Sequence, residues 1–117
     1  MKEKIYNVHG YETSGGKDLI LDYIRKLDRL ERADGFKVIG KLEKGEFNDL
    51  QIKTWRGKIL EVYFYKHNRI FYVIVDDKDI YLLHACRKQK NKTEQTDSEK
   101  VVKRAKEIGE KVSKKFV

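Results

Sequence analysis

Between Ile59 and Lys92 the chain reads ILEVYFYKHNRIFYVIVDDKDIYLLHACRKQKNK, in which three apolar runs are separated by the polar turns Lys66-His67-Asn68 and Asp76-Asp77-Lys78. Runs rich in Ile, Val, Leu, Tyr and Phe, punctuated in this way, predict three antiparallel strands. The first puts Leu60, Val62 and Phe64 on one side and Glu61, Tyr63 and Tyr65 on the other. The second, Arg69 to Val75, opens on an arginine, either a solvated charge at the rim with no core duty or a cation held over a site. The third, Asp79 to Cys86, is apolar at nearly every position, as a strand covered on both faces is. It runs directly into Arg87, Lys88, Lys90 and Lys92, so a cationic strip leaves the sheet where the apolar run stops.

Upstream, Lys4 to His9 alternates well enough for a short strand, and Gly10 ends it. Asp18 is placed to cap a helix whose apolar face is Ile20, Tyr23, Ile24, Leu27 and Leu30. A second helix is expected from Arg32 to Lys44 on Phe36, Ile39 and Leu42, weakened by Gly35 and Gly40 and closed by Gly45. Asp49 to Trp55 reads as a strand with Lys53 and Trp55 on its wetter face, and Arg56-Gly57 as the turn after it. Residues 88–98 are polar and basic, hence a loop. Thr96 and Glu99 have the spacing of a capping box, and Val101, Val102, Ala105 and Ile108 mark a last helix that ends near Gly109 or frays into the Lys-rich tail. The order is a strand, two helices, four strands and a helix. That is an α+β fold: an antiparallel or mixed sheet of about five strands, two N-terminal helices packed on one side, and a C-terminal helix.

A chain of 117 residues suits one domain, residues 1–117. Nothing in it approaches the roughly 20 apolar residues of a membrane span. The polar start has no secretory h-region, and the one cysteine, Cys86, cannot form an internal disulfide, which suits the cytoplasm. The net charge of +8 is regional: residues 1–49 hold ten basic and ten acidic side chains, whereas residues 50–117 hold seventeen against nine. A cationic second half points to a polyanionic partner, nucleic acid first, with an acidic protein or a membrane surface behind it.

The sequence lacks GxGxxG, GxxxxGK[ST], CxxC and HExxH, so nucleotide-cofactor and metal readings lose support, and no cofactor is expected. His9, His67 and His84 share no ligand spacing. His84 and Cys86 lie two apart on one strand, a Cys-His pair that leaves nucleophilic catalysis conceivable. What remains is cations and aromatics: Lys53, Trp55, Arg56, Tyr63, Tyr65, Arg69, Arg87, Lys88, Lys90 and Lys92. Such residues bind phosphates, stack on bases and can stabilise the extra charge of a pentacoordinate phosphate. Tyr63 and Tyr65 also suit a half-buried strand, and His84 a partly buried structural role.

The run WRGKILEVYFYKHNRIFYVIVDDKDIYLLHACRKQKNKT resembles the core of the RelE/ParE superfamily of toxins of type II toxin–antitoxin pairs, within it the phage-derived HigB-like branch. The resemblance rests on Leu60-Glu61-Val62, on Arg69-Ile70-Phe71-Tyr72, and on Leu82-Leu83-His84 with the basic tail that precedes an amphipathic helix. It implies a ribosome-dependent mRNA interferase, in which a ribose 2′-OH attacks the adjacent phosphate without a metal. It places Arg69, Arg87 and Lys88 in catalytic positions, with Lys90 and Lys92 on neighbouring phosphates; Lys53, Trp55, Arg56, Tyr63, Tyr65 and His84 join them as RNA-binding candidates on residue type and position. It further implies mRNA, the ribosome and a helix-turn-helix, HigA-like antitoxin as partners. The chain departs from the family at Tyr63, where an arginine is frequent, at Cys86, where an aromatic is frequent, and at Thr93-Glu94, where Thr-Pro is. A ParE-like toxin acting on gyrase and a non-catalytic RNA-binding module are the other readings open at this point.

Overall fold

A computed structural model describes residues 3–88 and 94–117. Along the chain run β1 (Asn7–Gly10), α1 (Leu19–Arg25), α2 (Arg29–Glu43), β2 (Gln51–Arg56), β3 (Ile59–Phe64), β4 (Asn68–Ile74), β5 (Asp79–Arg87) and α3 (Gln95–Val112). The expected α+β class holds: one five-stranded sheet carries α1 and α2 on one face and α3 on the other. Its order is β1-β5-β4-β3-β2, antiparallel from β2 to β5. β1, whose place no local pattern reveals, lies parallel to β5 at the far edge. It is shorter than expected, because the amides of Ile5 and Tyr6 both turn to the Glu43 carbonyl at the end of α2.

Each sheet face has its own core. On one, Ile20, Ile24, Val38 and Leu42 bury against Val62, Phe64, Ile70, Tyr72, Ile80 and Leu82. On the other, Val101, Ala105 and Phe116 bury against Ile59, Phe71, Val73 and Leu83. β5 is thus covered on both sides, as its unbroken apolar run predicts.

The helices differ from their expected bounds in instructive ways. Asp18 caps α1 as expected, its Oδ1 accepting from the amides of Ile20 and Leu21 at 3.0 Å, and Gly45 closes α2 with its amide on Leu42 O. But α1 stops at Arg25, so Leu30 falls on α2 and is exposed, as is Phe36. The buried line of α2 is Glu31, Gly35, Val38 and Leu42. Gly35 decides this rotation: a Cβ there would stand 3.0 Å from Ile24 Cγ2 and 3.2 Å from Phe64 Cε2, so α2 turns its narrowest side inward. A helical glycine costs about 1 kcal/mol relative to alanine, whereas a buried Val or Leu contributes about 1.5–3 kcal/mol. Val38 and Leu42 therefore outweigh Gly35 and Gly40, and packing holds the helix.

At the other end α3 starts at Gln95, with Glu94 at the cap, so Thr96 and Glu99 lie inside the helix and form no capping box. The helix passes through Gly109 to Val112, and the tail does not fray: the Lys114 amide bonds to Gly109 O and Phe116 is 4% exposed. The β2–β3 turn is built around that tail. The Lys58 amide donates to Phe116 O, and Gly57 has φ +52° with the same carbonyl 2.4 Å from where a Cβ would be. Gly57→Ala is expected to cost at least about 1 kcal/mol, from the left-handed backbone alone. Urea denaturation checks it; an unchanged midpoint would show that the turn and tail are not coupled.

Candidate functional site

The side chains singled out from the sequence do not form one cluster. The start of β4 and the end of β5 lie side by side at one end of the sheet, and strand alternation sends neighbouring residues to opposite faces.

On the α3 face, Arg69 is cross-strand partner to both Tyr63 and Cys86. It is not at the rim: it is 2% exposed, with its Nη1 2.8 Å from Oε2 of Glu61, itself 5% exposed. Two charges can stay this deep because each satisfies the other. Tyr63 donates its hydroxyl to the second carboxylate oxygen, Oε1, at 2.8 Å. Burial, followed by that bond to Glu61, raises the Tyr63 pKa, so the phenol is neutral and available as a donor. Lys88 Nζ stands 3.5 Å from the same hydroxyl, at the outer limit of a hydrogen bond. The Tyr63 ring is ringed by cations, with Lys88 at 5.2 Å, Lys53 at 5.4 Å and the Arg69 guanidinium carbon at 5.9 Å from its centroid. A polar column results, from buried Arg69 through Glu61 and Tyr63 to half-exposed Lys88.

Trp55 departs from the wet face expected for it. That face is covered here by the α3-side core: the Trp55 ring meets Phe71 edge-on at 5.2 Å, while the Arg56 guanidinium covers it at 4.4 Å. Lys53 and Arg56 are exposed on this edge strand.

Beside the column, His84 Nε2 lies 2.7 Å from Asp97 Oδ1, and its Nδ1 lies 3.0 Å from Arg104 Nη1. Arginine has no acceptor, so Nδ1 carries the lone pair and Nε2 the proton that it donates to Asp97. Burial lowers the His84 pKa despite Asp97, keeping the ring neutral. With both nitrogens engaged, His84 has none left to act as base for Cys86, and burial pushes that thiol up to about 12. This arrangement weighs against nucleophilic catalysis by the pair.

Arg87 lies on the opposite face. Its Nη2 is 2.5 Å from Glu31 Oε1 of α2, which also accepts from Asn68 Nδ2 at 2.8 Å, and Tyr23 donates to Asn68 Oδ1 at 2.5 Å. The Arg87 side chain is 46% exposed above a fully buried acid. Tyr65 has left β3 and lines a shallow cleft with Leu30, Ala33 and Lys37. Lys90 and Lys92 lie outside the described residues.

Glu61, Glu31, Asp97 and Arg104 were not among the residues expected to act. For Glu61 a signal existed: it is an acid in the middle of an apolar strand, where only a buried cation can hold it. Among the described residues no helix is long and apolar enough to cross a membrane.

No curated protein matches the chain. A family model does, and it spans residues 22–106, which hold the whole of the sheet site from Glu31 to Arg104. The chain belongs to the family of phage-derived Gp49-like proteins (DUF891), which is part of the RelE/HigB-like toxins of toxin–antitoxin systems.

Proposed function

We propose that this protein is the toxin of a type II toxin–antitoxin pair, in the HigB-like branch, and that it cleaves mRNA on the ribosome as a metal-free endoribonuclease. The observation that carries the reading is the Tyr63 hydroxyl, held by Glu61 at 2.8 Å and flanked by Lys88 at 3.5 Å. A neutral phenol between a carboxylate and an ammonium has both halves of acid–base chemistry beside it.

In the reaction the 2′-oxygen bonds to phosphorus while the bond from phosphorus to the 5′-oxygen breaks, leaving a 2′,3′-cyclic phosphate and a 5′-OH. Tyr63 accepts the 2′-OH proton as it passes its own to Glu61. Lys88 faces the developing phosphorane charge and protonates the leaving oxygen. Arg69, too buried to meet RNA, holds the Glu61 carboxylate in place from beneath at 2.8 Å. Lys53 and Arg56 on the exposed edge hold flanking phosphates, with Lys90 and Lys92 in the same role. Arg87 binds RNA from the other face, where Glu31 fixes its guanidinium. A cognate antitoxin, HigA-like with a helix-turn-helix, silences the site by covering it, and its acidic surface is steered by the cationic half of the chain.

The test is a translating ribosome programmed with a defined mRNA, followed by mapping of new 5′ ends and their chemistry. Expected are discrete 5′-OH ends with the parent protein, reduced about 10²–10³-fold by Lys88→Ala. Intact mRNA together with gyrase-dependent DNA breaks would move the chain to the ParE-like class. RNA binding with no new ends would leave a binding module.

A further inference from the structure

We propose that His84, Cys86 and Asp97 form a binding site for a thiophilic divalent cation, zinc foremost. The three come from β5 and the first turn of α3, and one ligating atom from each lies within 4.8 Å of the others. His84 and Cys86 are each 8% exposed, while Asp97 stands at the open side, so a cation can enter past the carboxylate. Imidazole nitrogen, thiolate sulfur and carboxylate oxygen are a zinc donor set, and three protein ligands leave a fourth position for water. With metal–nitrogen and metal–oxygen distances of about 2.0–2.2 Å and metal–sulfur of about 2.3 Å, tetrahedral ligands stand roughly 3.2–3.8 Å apart. The His84 Nε2–Asp97 Oδ1 pair, now at 2.7 Å, must open to that spacing, and the longer separations, up to 4.8 Å, must close to it.

Protons and charges balance. Cys86 releases its thiol proton to solvent as sulfur binds the metal, and the thiolate and Asp97 together neutralise the divalent charge. His84 binds through Nε2, so the proton there moves by way of solvent to Nδ1. Arg104, which now donates to Nδ1 at 3.0 Å, must then turn away. A place for it exists, since the guanidinium already lies 4.4 Å from the Tyr11 ring centroid and also bonds Leu83 O. Arg104 and the metal thus compete for the same histidine. The site also gives Cys86 a use that its inert, buried thiol otherwise lacks, and binding would tie α3 to β5 two residues before Lys88. It is independent of the RNA chemistry proposed above.

Cobalt(II) titration of the chelator-treated protein decides the matter, because the chain has one cysteine and a thiolate-to-cobalt charge-transfer absorption can arise only from Cys86. Expected are one cobalt per chain, that absorption with tetrahedral d–d bands, displacement by one equivalent of zinc, and a higher melting temperature with zinc. Cys86→Ser removes the absorption, and Cys86→Ala serves where the serine variant does not fold. Asp97→Asn weakens affinity at least about tenfold, and Arg104→Met tightens it. No charge-transfer absorption in the folded parent, affinity untouched by Asp97→Asn, or one metal per two chains would each overturn the proposal.

Discussion

Arg69→Met alone is expected to destabilise the protein by about 3–5 kcal/mol, because it leaves the Glu61 carboxylate buried without its cation. Domains of this kind are stable by about 5–15 kcal/mol in total, so the variant sits near the edge of unfolding. The pair Arg69→Met with Glu61→Leu should recover most of the loss, since apolar side chains of similar volume replace buried ions at little or no cost. A double-mutant cycle in urea measures both, and a single variant that loses under about 1 kcal/mol would show the ion pair to be wet, contrary to its exposure. One consequence reaches the biology. The exposed rim position expected from sequence makes Arg69→Ala a clean test of catalysis, yet at 2% exposure a harmless Arg69→Ala protein can simply be a melted one. Lys88 and Tyr63, which reach solvent, are the residues to test instead.

Tyr63→Phe is expected to lower RNA cleavage by about 10²–10⁴-fold, the usual range for losing a positioned proton-transfer group. It should cost about 1.5–3 kcal/mol of stability, the worth of a hydrogen bond to a charged group, and leave the protein folded. The ring and its cations remain, so RNA affinity is retained while turnover falls. Single-turnover kinetics on programmed ribosomes separates the two. A variant that cleaves at the parental rate would remove Tyr63 from the chemistry and leave Lys88 as the reacting group, whereas lost affinity at parental turnover would make Tyr63 a stacking platform.

The three hairpin strands, the capped first helix and the neutral and cationic halves were legible in the sequence, because each is written in local alternation, a cap or a count of charges. The α+β class followed from the order of elements. Local pattern misplaced Leu30 and Phe36, both exposed, because which stripe of α2 turns inward depends on Gly35 meeting Ile24 and Phe64, and no window of α2 contains those partners. The Thr96–Glu99 spacing failed for a related reason: α3 starts where it can bury Ser98, Val101 and Ala105, and that packing outweighs a surface cap. The site divides in the same way. Arg69, Arg87, Lys88 and Tyr63 stand out as cations and an aromatic at the ends of strands, so residue type alone brought them forward. Their grouping did not follow, since the two-residue period of β5 sends Arg87 to Glu31 on one face while Lys88 meets Tyr63 on the other. Glu61 beneath Arg69, and Asp97 beside His84 from thirteen residues away, are partners that only a folded sheet and helix can bring within a hydrogen bond. Sequence thus determined which charged and aromatic groups the chain carries, and tertiary packing decided which charges are buried, which are paired and which reach solvent, because burial and pairing are properties of contacts distant along the chain.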